Sequence, residues 1–203
     1  PKAGGHLGFH NDALKEKVVE LKKLVRETLE VTQELTRKYR KKIPVIAAGG
    51  IMSGKDIFDI MKSGASAVQL GSRFIATTEC DASDEFKQAI IHSKKNQIKI
   101  IKSPVGLPGR AIENDFLKAA ERDEKKPKGC RYHCIKSCNP KNISYCIADA
   151  LLSAYHGRLN DGFVFTGANA HKIKSLTTVR ELFQELISGY QKEQEKQAKK
   201  NKH

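Results

Sequence analysis

The sequence predicts an α/β fold in which parallel strands are joined by helical crossovers, followed by a mainly helical region. Three observations carry the prediction. Helix-like and strand-like segments alternate through the first part of the chain, the order expected of parallel strands. Two short apolar runs, IPVIAAGG and ASAVQLGSRF, have small residues where their strands end, Gly49–Gly50 and Gly71–Ser72. Those strand ends lie one strand–helix unit apart.

The elements follow in order. Apolar residues at Leu14, Val18, Leu21, Val25, Leu29, Leu35 and Tyr39 keep largely helical spacing. A helix is therefore predicted from about Asp12 to Lys41, capped by Asn11 or Asp12. IPVIAAGG is a continuous apolar run and reads as a strand buried on both faces. SGKDIFDIMKSG reads as a helix, with Ser53 as N-cap and Gly64 as its stop. ASAVQLGSRF is the next buried strand, and DASDEFKQAIIHSKK a further capped helix.

The strand ends point to chemistry. Gly49 and Gly50 close the first strand; Gly71 and Ser72 close the second. Glycines there let backbone N–H groups approach an anion closely. Singly, each pair reads as a tight turn. Together, one unit apart, they read as two loops sharing a phosphate, the site typical of the last two strands of a (β/α)₈ barrel. No GxGxxG is present at these turns, so a dinucleotide-binding turn is not supported.

Composition bounds the rest. The chain of 203 residues has room for one large domain, or one plus a small one. No run approaches the roughly 20 apolar residues of a membrane span. No secretory signal is visible, so the expected location is cytoplasmic. A net charge of +14 raises nucleic acid as a partner. Against it, the lysines are interleaved with acids and there is no Trp for base stacking, so no specific nucleic-acid partner and no membrane are expected. Three regions are expected. Residues 1–79 hold strand–helix units, residues 80–190 a last barrel helix and a cysteine-containing region, and residues 191–203 a lysine-rich, frayed tail.

AGGHLGF, IPVIAAGGI, AVQLGSRFIAT and SPVGLPGRAI, in this order, resemble the nitronate monooxygenase family. That family was formerly called 2-nitropropane dioxygenase and includes flavin-dependent enoyl-ACP reductases. CRYHCIKSCNPKNISYCIADAL and GFVFTGANAHKI are similar to a bacterial branch of it. The resemblance implies the C-terminal portion of an FMN-binding (β/α)₈ TIM barrel with an appended, mainly helical region. In the family the GGH loop follows roughly the sixth barrel strand. The resemblance therefore implies that this chain is the C-terminal part of a longer enzyme, with an N-terminal barrel part as a missing partner.

Site residues follow from the same resemblance. His6 matches the family's catalytic base, which removes the proton alpha to the nitro group of a neutral nitroalkane; a histidine suits that task because it titrates near neutrality. Gly4 matches the loop backbone that approaches the flavin. Gly49 and Gly50 match the first phosphate loop; Gln69, Leu70, Gly71 and Ser72 match the second. The implied activity is oxidation of alkyl nitronates or nitroalkanes with FMN as cofactor and O₂ as acceptor. One alternative is reduction of an enoyl thioester by NAD(P)H through FMN. The other is an inactive, truncated fragment of such an enzyme.

Cys130, Cys134, Cys138 and Cys146 are spaced C-x3-C-x3-C-x7-C. In a helix the first three would line one face over about 12 Å, too spread for one tetrahedral ion. No metal site is expected on that reading, and the thiols are expected to be buried and reduced.

Overall fold

A computed structural model describes residues 2–8, 19–136 and 138–201 of the chain. Asn11, Asp12, Leu14 and Val18, with which the first helix was expected to begin, lie outside the described residues. Helix α1 spans Leu21–Tyr39. Glu20 before it is extended and makes no side-chain cap, so the helix does not run unbroken from Asp12. Its apolar stripe of Leu21, Val25 and Leu29 packs over the first strand pair.

That pair is parallel, as predicted. Strand β2 (Ile46–Ala48) and strand β3 (Ala67–Gln69) pair in register, Ala47 opposite Val68. Helix α2 (Gly54–Lys62) crosses between them. Its start is the predicted one. Ser53 Oγ accepts from the Asp56 N–H at 3.2 Å, and Asp56 Oδ2 accepts from the Ser53 N–H at 3.0 Å, a reciprocal capping box. Gly64 ends it with φ +102, its N–H bonded to Met61 O.

The strands are not buried on both faces. Ala47 is 3% exposed but Ile46 is 61% exposed. Helices α1 and α2 cover one face through Val25, Ile57 and Ile60. Among the described residues no element covers the other, so the apolar run is half solvated. No closed barrel is present among the described residues; this sheet has two strands.

Helices account for most of the regular structure after Cys80, but the region also holds strands. Strands β4 (Ile98–Lys102) and β5 (Pro108–Ile112) form an antiparallel hairpin, and strand β1 (Gly5–His6) adds to the far edge of β5. Gly106, with φ +86, makes the turn between them. Every residue of β5 is buried. The segment 163–169 runs beside it, with Ile112 N–H bonded to Val164 O and Thr166 N–H to Arg110 O. Ala168 N–H reaches Lys2 O at 3.0 Å. The GGH loop and the GFVFTGANAHKI segment are thus neighbours.

The remaining helices are α3 (Ser72–Ile75), α4 (Asp84–Ile91), α5 (Asp115–Glu121), α6 (Ile147–Tyr155) and α7 (Val179–Lys200). Ser83 caps α4 as predicted. Helix α7 continues to Lys200 where a frayed tail was expected, with Lys62 Nζ on Gln197 at 2.8 Å. It docks on α2 through small residues: a Cβ on Gly54 would strike Leu186 O and Tyr190 N. Arg73 fastens the same junction, with both guanidinium nitrogens on Glu185 and one on Met52 O. The cysteines also differ from expectation. Residues 129–136 hold no helix or strand, Cys134 is exposed and the other four are half-buried.

Candidate functional site

The loops after β2 and β3 meet over a cavity of about 340 Å³, within the size range of small-molecule sites. It is lined by Gly4, Gly49, Gly50, Gln69, Leu70, Gly71 and Ser72, seven of the eight residues predicted for the site. Local chemistry explains the convergence. Parallel pairing of Ala48 with Gln69 sets the two strand ends side by side, so both loops leave on the same edge.

Two glycines are required by the backbone and one is not. Gly49 and Gly50 have φ +104 and +81, a region other L-residues avoid. Gly71 has φ −118, and a Cβ there would meet nothing within 4 Å. Among the described residues no atom demands glycine at 71, and the space its side chain would enter is available to a ligand. Gly4 has a second reason, since its Cβ would stand 2.5 Å from the Thr166 carbonyl carbon.

Ser72 Oγ accepts from Gly167 N–H at 2.9 Å and from Thr166 Oγ1 at 3.3 Å. A hydroxyl has one proton to give, and this arrangement leaves it for a ligand. Asn169 Nδ2 donates to Gly50 O at 2.6 Å and fixes the first loop. The Gly71–Ser72 backbone opens the first turn of α3, where N–H groups have no intrahelical partner. Lys2 lies on the cavity wall, and among the described residues no carboxylate lines it. A neighbouring hollow of about 460 Å³ shares Lys2, Gly49 and Gly50 and adds Lys22, but Glu20, Asp56 and Asp59 also line it, which makes it less favourable to an anion. The first cavity is therefore the one suited to a phosphate.

His6 stands apart from the other seven. It does not line the cavity; Gly5 and Phe165 do. The His6 and Phe165 rings pack edge-on, centroids 5.0 Å apart. Antiparallel pairing places His6 opposite Gly109, where a Cβ would strike the Phe165 ring. His6 Nε2 is 2.7 Å from Ser103 Oγ, so the β4–β5 turn orients the imidazole. Desolvation by its surroundings lowers the His6 pKa and favours the neutral ring. Tyr145 is buried nearby, its hydroxyl 3.4 Å from Lys102 O, and burial raises its pKa.

Sequence reasoning missed Lys2, Ser103, Phe165, Thr166, Gly167 and Asn169. Their segments were visible only as parts of a resemblance, because the contacts they make span about a hundred residues.

Comparison with known proteins decides the lineage. A sequence model described as nitronate monooxygenase matches residues 1–189. The chain belongs to the nitronate monooxygenase family. A probable nitronate monooxygenase of Staphylococcus saprophyticus is 35% identical over 125 residues, covering 61% of this chain and 34% of that protein. One from Staphylococcus haemolyticus is 38% identical over 82 residues, 40% of this chain and 23% of that protein. The chain thus spans about a third or less of the length of these relatives. Among solved structures, FabK from Thermotoga maritima superposes with a TM-score of 0.71 at 25% identity, covering 97% of this chain and 54% of that one. Nitroalkane oxidase from Streptomyces ansochromogenes shares the fold, with a TM-score of 0.68 at 23% identity over 94% of this chain and 50% of its own. No helix among the described residues is long and apolar enough to cross a membrane.

Proposed function

We propose that these residues serve an FMN-dependent oxidoreductase that oxidises alkyl nitronates and nitroalkanes with O₂. The observation that carries the proposal is the cavity between the β2 and β3 loops, lined by no carboxylate among the described residues, open at Gly71 and backed by Lys2. Its donors fit a phosphate monoester. Backbone N–H groups of Gly50, Gly71 and Ser72, the Ser72 hydroxyl and the Lys2 ammonium would hold that end of FMN. Gly4 and Gly5 continue the wall from there toward His6.

FMN, when bound, supplies the two-electron acceptor that the side chains lack. The chain's own residues do the rest. Neutral His6 takes the alpha proton of a nitroalkane, becoming imidazolium as the substrate becomes its nitronate. The Ser103 hydroxyl holds the ring for that transfer. Phe165 backs His6 and keeps one side of it dry. A substrate supplied as nitronate has already lost its proton and does not need the base.

The relationship to FabK supports a second reading, reduction of an enoyl thioester by NAD(P)H. Two assays on flavin-loaded enzyme separate them. Nitronate-dependent O₂ uptake without NAD(P)H supports the proposal; NAD(P)H consumption that requires an enoyl thioester overturns it. Gly4, Ala48, Gln69 and Gly71 are exposed at the cavity edge, so the 203 residues alone are proposed to hold FMN weakly and to lack turnover.

A further inference from the structure

We infer that Cys130, Cys134, Cys138 and Cys146 form a tetrathiolate site for one thiophilic divalent ion of the zinc class. All four line a single small cavity, which shares no lining residue with the one between the β2 and β3 loops and has a free volume of about 10 Å³. That is room for one water-sized body, the scale of a single ion. The rest of the lining is Gly129 and apolar side chains such as Val105, Ile135, Ile143 and Ile147. Four sulfurs in an otherwise apolar hollow suit a soft metal and offer nothing to magnesium or calcium.

Sulfurs four residues apart spread along one face only in a helix. Residues 129–136 instead form bends and turns, which bring sulfurs four residues apart around one void. His133, with φ 45, turns its N–H onto Cys130 Sγ at 3.3 Å. Cys146 is the N-cap of α6, so the fourth sulfur is held at the start of a regular element.

Charge completes the case. From Lys125 to Lys141 the sequence carries six lysines and arginines and no Asp or Glu. Four thiolates around a divalent cation leave two net negative charges, which this basic segment balances. No three His, Cys, Asp or Glu among the described residues already form a closed ligand set. Binding therefore draws the sulfurs inward, orders the loop and releases thiol protons to solvent.

The test uses the reduced, chelator-treated full chain titrated with cobalt(II). The expected result is sulfur-to-cobalt charge-transfer absorption with tetrahedral d–d bands, saturating at one equivalent and displaced by zinc. Cys134→Ser and Cys138→Ser each remove the signal, while Cys80→Ser keeps it. Circular dichroism on each variant confirms that the helices persist; Cys134 is exposed, so its replacement leaves the core intact. Absence of thiolate–cobalt absorption overturns the inference. So does a signal that survives in the Cys134→Ser/Cys138→Ser double variant, or isolation of the protein with stoichiometric iron and acid-labile sulfide.

Discussion

Replacing Gly71 with leucine separates a ligand-driven glycine from a fold-driven one. The backbone at 71 has φ −118 and the new Cβ meets nothing within 4 Å. The fold should therefore lose no more than about 0.5 kcal/mol. The bound phosphate loses more. A hydrogen bond to a charged group is worth about 1.5–3 kcal/mol. If the leucine displaces the phosphate from two N–H groups, the loss is about 3–6 kcal/mol, roughly a 10²- to 10⁴-fold weaker Kd. Two measurements read the two effects. Thermal unfolding of the flavin-free protein should be unchanged, and titration of FMN, followed by its fluorescence in the flavin-binding enzyme, should show the weakened affinity. Wild-type flavin content in Gly71→Leu refutes the reasoning. A fall in melting temperature of the size caused by a core deletion refutes it as well.

Further outcomes follow from other residues. His6→Asn should lower turnover of neutral nitroalkanes by about 10²- to 10⁴-fold, the usual contribution of a general base, and leave preformed nitronates nearly untouched; equal losses on both argue against proton abstraction. Because desolvation lowers the His6 pKa and the neutral ring is the active form, kcat/KM on nitroalkanes should rise with pH and level off. The midpoint should lie below that of an ordinary histidine, and a midpoint above it contradicts the assignment. Gly54→Val drives a side chain into Leu186 O and Tyr190 N of α7, and overpacking of this kind costs about 1–3 kcal/mol. Thermal unfolding should fall by several degrees, and an unchanged melting temperature would show that α7 is not seated there.

What was legible in the sequence was local. The Ser53 cap and the Gly64 stop depend on residues within one helix, so neighbouring letters reveal them. The β2–β3 pairing was legible because parallel strands need a helix between them and the chain supplies one. Burial was less so: IPVIAAGG has the composition of a doubly covered strand, but Ile46 is bare because burial depends on distant elements. The β1–β5 pairing joins residues more than a hundred positions apart, which no local period encodes. The same distance hid Ser103 behind His6, and Thr166 and Gly167 behind Ser72. The cysteine run failed differently: its spacing of four suits a helical face, while Pro127, Gly129 and Pro140 around it favour turns.

The central claim is that the β2 and β3 loops hold the cofactor through which nitronates are oxidised. Anaerobic mixing of the flavin-loaded enzyme with an alkyl nitronate tests it most directly. The account predicts loss of the oxidised-flavin absorbance on mixing and its return when O₂ is admitted, with no need for NAD(P)H. A flavin that nitronate leaves oxidised and NAD(P)H reduces would contradict it.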